Sequence, residues 1–136
     1  MQLLTAKPVL YVCNVAESNA ANGNLNSQKV ADMAASQEAS HVIVSAAIEA
    51  EISQLEASDK GEFLAEIGLE EAGLTRLIRA GYELLNLLTF FTVGPKEARA
   101  WTVANGSTAP QAAGVIHTDF QRGFIRAETI SYDDYI

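Results

Sequence analysis

The pattern of apolar positions in the first third of the chain predicts a strand, a helix and a second strand. Residues 9–13 are continuously apolar and rich in β-branched and aromatic side chains, which is typical of a buried strand, and residues 41–46 repeat this pattern. Between them, apolar positions recur at helical spacing after a loop rich in Asn and Gly, and Ser27 is placed to cap that helix. This order predicts two parallel neighbours in a covered sheet.

The middle of the chain carries three stretches with helical periodicity. They lie at about residues 48–55, 63–67 and 74–85, and Gly68 is expected to end the second helix. Eight acidic residues occur between positions 49 and 71. Charge runs beside amphipathic helices are usually solvated, so these acids predict an exposed face rather than a catalytic cluster.

The last third changes to short strands separated by turn signals. Residues 87–93 and 98–103 predict two strands joined at Gly94-Pro95. A helix is expected from Thr108 to about residue 118, and residues 124–130 alternate in a way that predicts a third strand. We therefore expect an α+β module with one helix on a three-stranded, unfinished sheet.

Composition narrows the classes of protein that fit. The chain has 136 residues, of which 49% are hydrophobic and 19% charged, so it should fold. No apolar run is long enough to span a bilayer and no leader is visible, so we expect a cytoplasmic protein without a membrane partner. The formal net charge of −8 argues against binding DNA through bulk charge. A single cysteine and two isolated histidines predict neither a disulfide nor a metal site.

The first candidate for chemistry is the segment Asn14-Val15-Ala16-Glu17, at the carboxyl end of the first strand. Ligands of open parallel sheets bind at this edge. In P-loop nucleotide domains, an amide followed three positions later by a carboxylate reads the base. Val15 stands where the guanine motif Asn-Lys-x-Asp has Lys, and Glu17 replaces its Asp, so guanine selectivity is not expected. Alternatively, Asn14 and Glu17 are ordinary loop residues.

The second candidate is Ser45-Ala46-Ala47, at the end of the next strand. In the same domains a Ser-Ala segment at this place lines the base with backbone N–H groups. Two base-side loops in the expected order are a better signal than either alone. Ser45 as a simple hydroxyl at a strand end remains the competing interpretation.

Beyond these two loops, the chain resembles the YchF family of Obg-like, ribosome-binding ATPases over nearly its whole length. The segments that carry the resemblance are Asn14–Glu17, Ile48-Glu49-Ala50-Glu51-Ile52, Gly68-Leu69-Glu70-Glu71, Leu77-Ile78-Arg79-Ala80-Gly81-Tyr82, Phe91–Trp101 and Ala109–Phe120 with Gly123–Ala127.

The resemblance implies an α/β fold for residues 1–86, as the carboxy-terminal half of a P-loop NTPase domain with parallel strands. It implies a truncated TGS domain, of the ubiquitin-like β-grasp type, for residues 87–136. The family prefers ATP to GTP and associates with the ribosome or ribosomal RNA. Carried over, the residues that contact ATP are Asn14, Val15, Glu17, Ser45, Ala46 and Ala47.

The phosphate-binding sequence G-x-x-x-x-G-K-[ST] does not occur in this chain. The ligands of the family's Mg²⁺ are accordingly expected in a missing amino-terminal half. We therefore expect this chain alone to contain no catalytic residue and to be inactive, as part of a longer ATPase.

A non-enzymatic adaptor that binds RNA or protein through its second module is the alternative function. Arg99, Trp101, Arg122 and Arg126 are candidates for an RNA-facing surface, with Trp101 as a stacking plane. The competing expectation places Trp101 in the core and leaves the arginines as solubilising residues. An unrelated hydrolase that uses the glutamates lacks a positioned nucleophile or a metal set.

Overall fold

The structure, a computed structural model, describes residues 3–136. These residues form two compact units, one up to Leu85 and the other from Asn86 to Ile136, which we call the amino-terminal and carboxy-terminal units. Within the described residues, no helix has the length and the apolar character needed to cross a membrane. The fold is mixed α/β, with one parallel and one antiparallel pair of strands.

The amino-terminal unit is built on a parallel strand pair, which confirms the prediction. Strand β1 (Leu10–Asn14) pairs with β2 (Ser40–Val44), and the register runs from Leu10 opposite Ser40 to Asn14 opposite Val44. Helix α1 (Leu25–Ser36) connects them. Strand β2 ends earlier than predicted, because Ser45 directly precedes the next helix and Ala46 is its first residue.

The predicted cap of helix α1 is wrong, because Asn24 rather than Ser27 precedes the first turn. The Oδ1 atom of Asn24 accepts hydrogen bonds from the backbone N atoms of Asn26, at 2.9 Å, and Ser27, at 3.0 Å. The Oγ atom of Ser27 accepts in return from the backbone N of Asn24 at 2.8 Å. Ser27 is therefore the third residue of a reciprocal capping arrangement, and it is buried.

Three helices follow the parallel pair, close to the predicted positions. They are α2 (Ala46–Ile52), α3 (Lys60–Glu66) and α4 (Gly73–Leu84). Gly68 lies just beyond α3 with a φ of +73°, a conformation that glycine adopts without strain. The core of this unit joins Ala20, Ile48 and Ile52 to the partly buried side chains of Phe63, Leu64, Ile67, Leu69 and Ala72.

The carboxy-terminal unit is an antiparallel hairpin followed by short helices. Strand β3 (Leu87–Val93) pairs with β4 (Ala98–Ala104) in the register Leu87 opposite Ala104 to Val93 opposite Ala98. The backbone N of Thr108 donates to Gln111 Oε1 at 2.8 Å and so helps to cap the helix that follows. The helices are α5 (Ala109–Ile116), α6 (Thr118–Arg122) and α7 (Tyr132–Tyr135).

The predicted third strand is wrong. Residues 123–131 adopt no regular structure, and the sheet that the described part of this unit contains consists of β3 and β4. Ile125 is 90% exposed and Ile130 62% exposed, so neither isoleucine of this segment is buried. Alternation favours a strand only where a neighbouring strand supplies hydrogen bonds, and none pairs with this segment here.

Candidate functional site

The two strand ends that the sequence singled out lie side by side. The Oδ1 atom of Asn14 accepts a hydrogen bond from the backbone N of Ala46 at 3.0 Å, across 32 positions of sequence. The backbone N of Val15 donates to the carbonyl oxygen of Val44 at 2.9 Å. The parallel register places Asn14 opposite Val44, so both turns leave the same edge of the sheet. We call residues 14–17 and 45–47 the first and second turns.

The hydrogen bond to Ala46 orients the carboxamide of Asn14. Its oxygen faces the second turn, whereas its Nδ2 atom donates to none of the residues from 3 to 136. The side chain is exposed. Asn14 therefore braces the neighbouring turn, and its N–H donors are exposed at the edge of the sheet.

Ser45 is buried, with 3% of its surface exposed, and its Oγ atom has no hydrogen-bond partner within the described chain. It precedes α2, but its side chain does not cap that helix. A buried hydroxyl without a partner is costly, and such groups are uncommon in folded proteins. The second turn thus holds an unused polar atom directly beside Ala46.

The other predicted site residues differ from one another in exposure and in hydrogen bonding. Ala46 and Ala47 are exposed in the first turn of α2, and the N–H of Ala46 is already bound to Asn14 rather than open to a ligand. Val15 is half-buried. Glu17 begins a short 3-10 turn (Glu17–Asn19) and is exposed, and its carboxylate forms no ion pair or hydrogen bond with residues 3–136. The structure thus brings Asn14, Val15 and the second turn together and leaves Glu17 on the rim.

A groove of about 310 Å³ runs along β1 beside the first turn. It lies toward the beginning of α1, and the second turn does not line it. The groove therefore reaches the first turn at Asn14 and Val15 but does not extend to the second turn. Its lining consists of residues 11–15 with Asn24, Asn26, Ser27 and Val30.

Sequence reasoning missed a contact just behind the second turn. Glu49 was expected on a solvated acidic face, but it is half-buried and its Oε1 atom accepts from the backbone N of Gly73 at 2.7 Å. One signal was present: Ala72, which precedes α4, has no polar side chain to cap it. A helix start with an apolar cap residue needs an acceptor from elsewhere.

The arginines of the carboxy-terminal unit are arranged differently from either expectation. The guanidinium of Arg99 lies over the Trp101 ring, 4.2 Å from its centroid, and Nε1 of Trp101 donates to Thr92 Oγ1 at 2.9 Å. Trp101 is half-buried, so it is neither a core residue nor an open stacking plane. Arg122 and Arg126 are exposed.

Residues 3–136 contain no group of three or more His, Cys, Asp or Glu side chains that could hold a metal ion.

Comparison with known proteins gives consistent matches. The family model YchF-GTPase_C, described as a protein of unknown function (DUF933), matches residues 87–136. The ribosome-binding ATPase YchF of Haemophilus ducreyi is 58% identical over 133 residues, which are 98% of this chain and 36% of that protein. The ribosome-binding ATPase YchF of Bacillus subtilis is 51% identical over 138 residues, 100% of this chain and 38% of that protein.

A solved structure, that of the Schizosaccharomyces pombe YchF GTPase, matches with a TM-score of 0.78 and 36% identity. The match covers 90% of this chain and 33% of that one. The chain thus spans little more than a third of the length of the curated relatives it matches. Both units are covered, because the alignments with the bacterial relatives extend over 98–100% of the chain. On sequence and fold together, the chain belongs to the YchF family.

Proposed function

We propose that this chain supplies the adenine-recognition edge of an ATP-hydrolysing protein that acts on the ribosome. The observation that carries the proposal is the hydrogen bond from the Ala46 N–H to Asn14 Oδ1, which holds the two turns together at the carboxyl ends of parallel strands. Ligands of such sheets bind at this edge. The phosphates and Mg²⁺ of the nucleotide are assigned to residues outside this chain, which by itself does not hydrolyse ATP.

The choice of adenine over guanine rests on hydrogen-bond chemistry. The exposed Nδ2 of Asn14 is a donor for N7, an acceptor that both purines carry. At position 6, adenine has an amino donor and guanine has a carbonyl acceptor. A carboxylate at Glu17 accepts from the first and repels the second, which favours adenine over guanine. The bacterial relatives are named ATPases, whereas the Schizosaccharomyces pombe structure is named a GTPase.

Ser45 has a place in the same proposal. Its buried Oγ needs a partner that residues 3–136 do not provide. A polar group of the nucleotide base, or a loop ordered by it, satisfies this hydroxyl when ATP binds. Val15 and Ala47 complete the site as small apolar surfaces beside the ring.

The domain assignments belong to the proposal as well. We assign residues 1–86 to the carboxy-terminal half of a P-loop NTPase domain and residues 87–136 to part of a TGS domain. Several relatives are named as ribosome-binding. The carboxy-terminal unit is then the part of this chain that contacts the ribosome, in the cytoplasm.

A titration of the 136-residue chain with ATP and with GTP tests the base-recognition proposal, read by amide nuclear magnetic resonance. ATP should shift the signals of the Asn14 side-chain amide and of Ala46 and Ala47 at lower concentration than GTP. Glu17→Ala should abolish the difference between the nucleotides, while Glu66→Ala, an exposed acid at the end of α3, should not. Shifts confined to residues 86–136, or none with either nucleotide, would remove the base-reading role.

An adaptor that acts through the carboxy-terminal unit is the second candidate. It is favoured by the Arg99–Trp101 stack and by apolar side chains that this unit exposes, among them Phe91 at 61% and Val93 at 54%. Cosedimentation of the chain with purified ribosomes separates the two functions. Binding that requires Arg99 while the nucleotide titration shows no shifts at the two turns would favour the adaptor.

A further inference from the structure

We infer that Glu49 is a positioning residue for base recognition, because it fixes the second turn from behind. This inference rests on the proposed function. The nucleotide-facing side of the turn is braced by Asn14, whereas the opposite side is braced by the contact between Glu49 and Gly73. We call this second contact the latch.

The latch joins the two helices that lie next to the turn. Glu49 lies in the first turn of α2, which begins directly after Ser45, and its Oε1 atom accepts from the first backbone N–H of α4 at 2.7 Å. The residue before α4 is Ala72, which cannot cap the helix with its own side chain. A carboxylate at a helix N-terminus satisfies an unpaired donor and interacts favourably with the helix dipole. Glu49 is therefore the cap of α4, supplied by another helix.

The latch also fixes the end of strand β2. Gly73 is buried, and a Cβ atom at this position would lie 2.9 Å from Glu49 Oε1 and 3.2 Å from Val44 Cγ1. The start of α4 thus lies against the last residue of the strand, with no room for a side chain between them. Val44 precedes Ser45, so a shift of α4 would be transmitted to the turn within one residue.

The position of Ala46 is therefore restrained twice, once by its hydrogen bond to Asn14 and once through the latch. If either is lost, the turn gains freedom and the donors and acceptors that face the base lose their alignment. Preorganised contacts of this kind raise affinity because the ordering cost is met before the ligand arrives. The expected consequence of a broken latch is weaker base binding with an intact fold.

Hydrogen exchange of the Ala46 amide measures the latch without any nucleotide. In Glu49→Ala this amide should exchange about tenfold faster than in the original chain, the size expected when a helix cap of ordinary strength is lost. Glu49→Gln keeps an acceptor oxygen and should restore most of the protection. Glu51→Ala, an exposed acid on the same helix, is the matched control and should change nothing. Unchanged exchange at Ala46 in Glu49→Ala would overturn the inference.

ATP titration of the same variants tests whether the latch serves recognition. Glu49→Ala should raise the concentration needed for half-maximal shifts by about fivefold to tenfold, and Glu49→Gln should stay within about twofold of the original chain. Faster exchange with unchanged ATP binding would overturn the positioning role. Absence of ATP shifts in the original chain would instead refute the proposed function, while the exchange data would still decide whether Glu49 holds the turn.

Discussion

The two units differ in how far apart in sequence their polar contacts reach. In the amino-terminal unit, side chains bind backbone groups that are distant along the chain: Asn14 reaches Ala46 and Glu49 reaches Gly73. In the carboxy-terminal unit, by contrast, the side chain of Trp101 donates to Thr92 on the neighbouring strand of the same hairpin. Long-range polar contacts fix the relative positions of loops, which a binding site needs. The candidate site therefore lies in the amino-terminal unit.

The units also differ in charge and in exposed apolar surface. Up to Leu85 the chain has five basic and twelve acidic residues, a formal charge of −7, and from Asn86 onward four basic and five acidic residues, a charge of −1. The carboxy-terminal unit exposes Phe91, Ile125, Ile130 and Tyr132 by more than half of their surface. Its surface therefore favours contact with a partner more than that of its acidic neighbour.

The largest difference in stability between the two units is expected when a buried side chain in the core of the amino-terminal unit is shortened. Ile48 is 4% exposed, and Ile48→Ala should lower the free energy of unfolding of this unit by about 2–5 kcal/mol. Trp101 is the only tryptophan and lies in the other unit, so its fluorescence should report an unchanged transition. Ile130→Ala, at a 62% exposed position, is the control. A fluorescence transition that shifts together with the circular dichroism of the helices would show that the units do not unfold independently.

A smaller effect separates the two tasks of Asn14. Asn14→Ala removes the acceptor for the Ala46 N–H and should cost about 1–2 kcal/mol in the free energy of unfolding. Asn14→Asp keeps the acceptor and loses the outward donor, so stability should be nearly retained while ATP binding falls. Urea denaturation and the amide titration check both. ATP binding by Asn14→Asp that equals binding by the original chain would mean that the Nδ2 donor has no role.

Replacing glycine by alanine should change the free energy of unfolding in opposite directions at two positions of the amino-terminal unit. Gly23 has a φ of +72°, and a Cβ there would lie 2.8 Å from Ile43 Cδ1, so Gly23→Ala should cost about 1–2 kcal/mol. Gly61 lies within α3 with no atom within 4 Å of an added Cβ, so Gly61→Ala should stabilise by about 0.5–1 kcal/mol. Thermal denaturation of both variants measures these changes in stability. A destabilising Gly61→Ala would contradict the open surroundings of this residue.

The smallest effect concerns the stack in the carboxy-terminal unit. Thr92→Val removes the acceptor for Trp101 Nε1, and Arg99→Ala removes the cation over the ring; each should cost about 0.5–1 kcal/mol. Both should shift the Trp101 emission maximum, since each changes the surroundings of the indole. Arg122→Ala, at an exposed position of α6, is the control and should leave the emission unchanged. An unaltered spectrum in Arg99→Ala would show that the stack is absent in solution.

The sequence predicted local structure better than contacts between distant segments. The parallel pairing of 9–13 with 41–46 followed from two apolar runs joined by a helix, because few topologies suit that order. The meeting of Asn14 with the second turn followed from the pairing, since parallel strands end at one edge. The cap of α1 was misassigned because Asn24 and Ser27 are both capping residues, and sequence alone does not decide which one precedes the first turn.

Two other features depended on tertiary structure. Residues 124–130 have a strand-like pattern, but a strand forms only where a ladder partner is available. The carboxylate of Glu49 looks in the sequence like its acidic neighbours, and only the packing of α4 against β2 brings Gly73 within reach. Sequence periodicity does not encode such contacts.

Calorimetric titration of a chimera tests the base-reading role most directly. The chimera carries this chain in place of the matching 133 residues of the Haemophilus ducreyi relative, whose remaining length is then supplied intact. We predict that it binds ATP at least tenfold more tightly than GTP and that Glu17→Ala brings the two affinities within about threefold of each other. Equal affinity for ATP and GTP, unchanged by Glu17→Ala, would contradict the account.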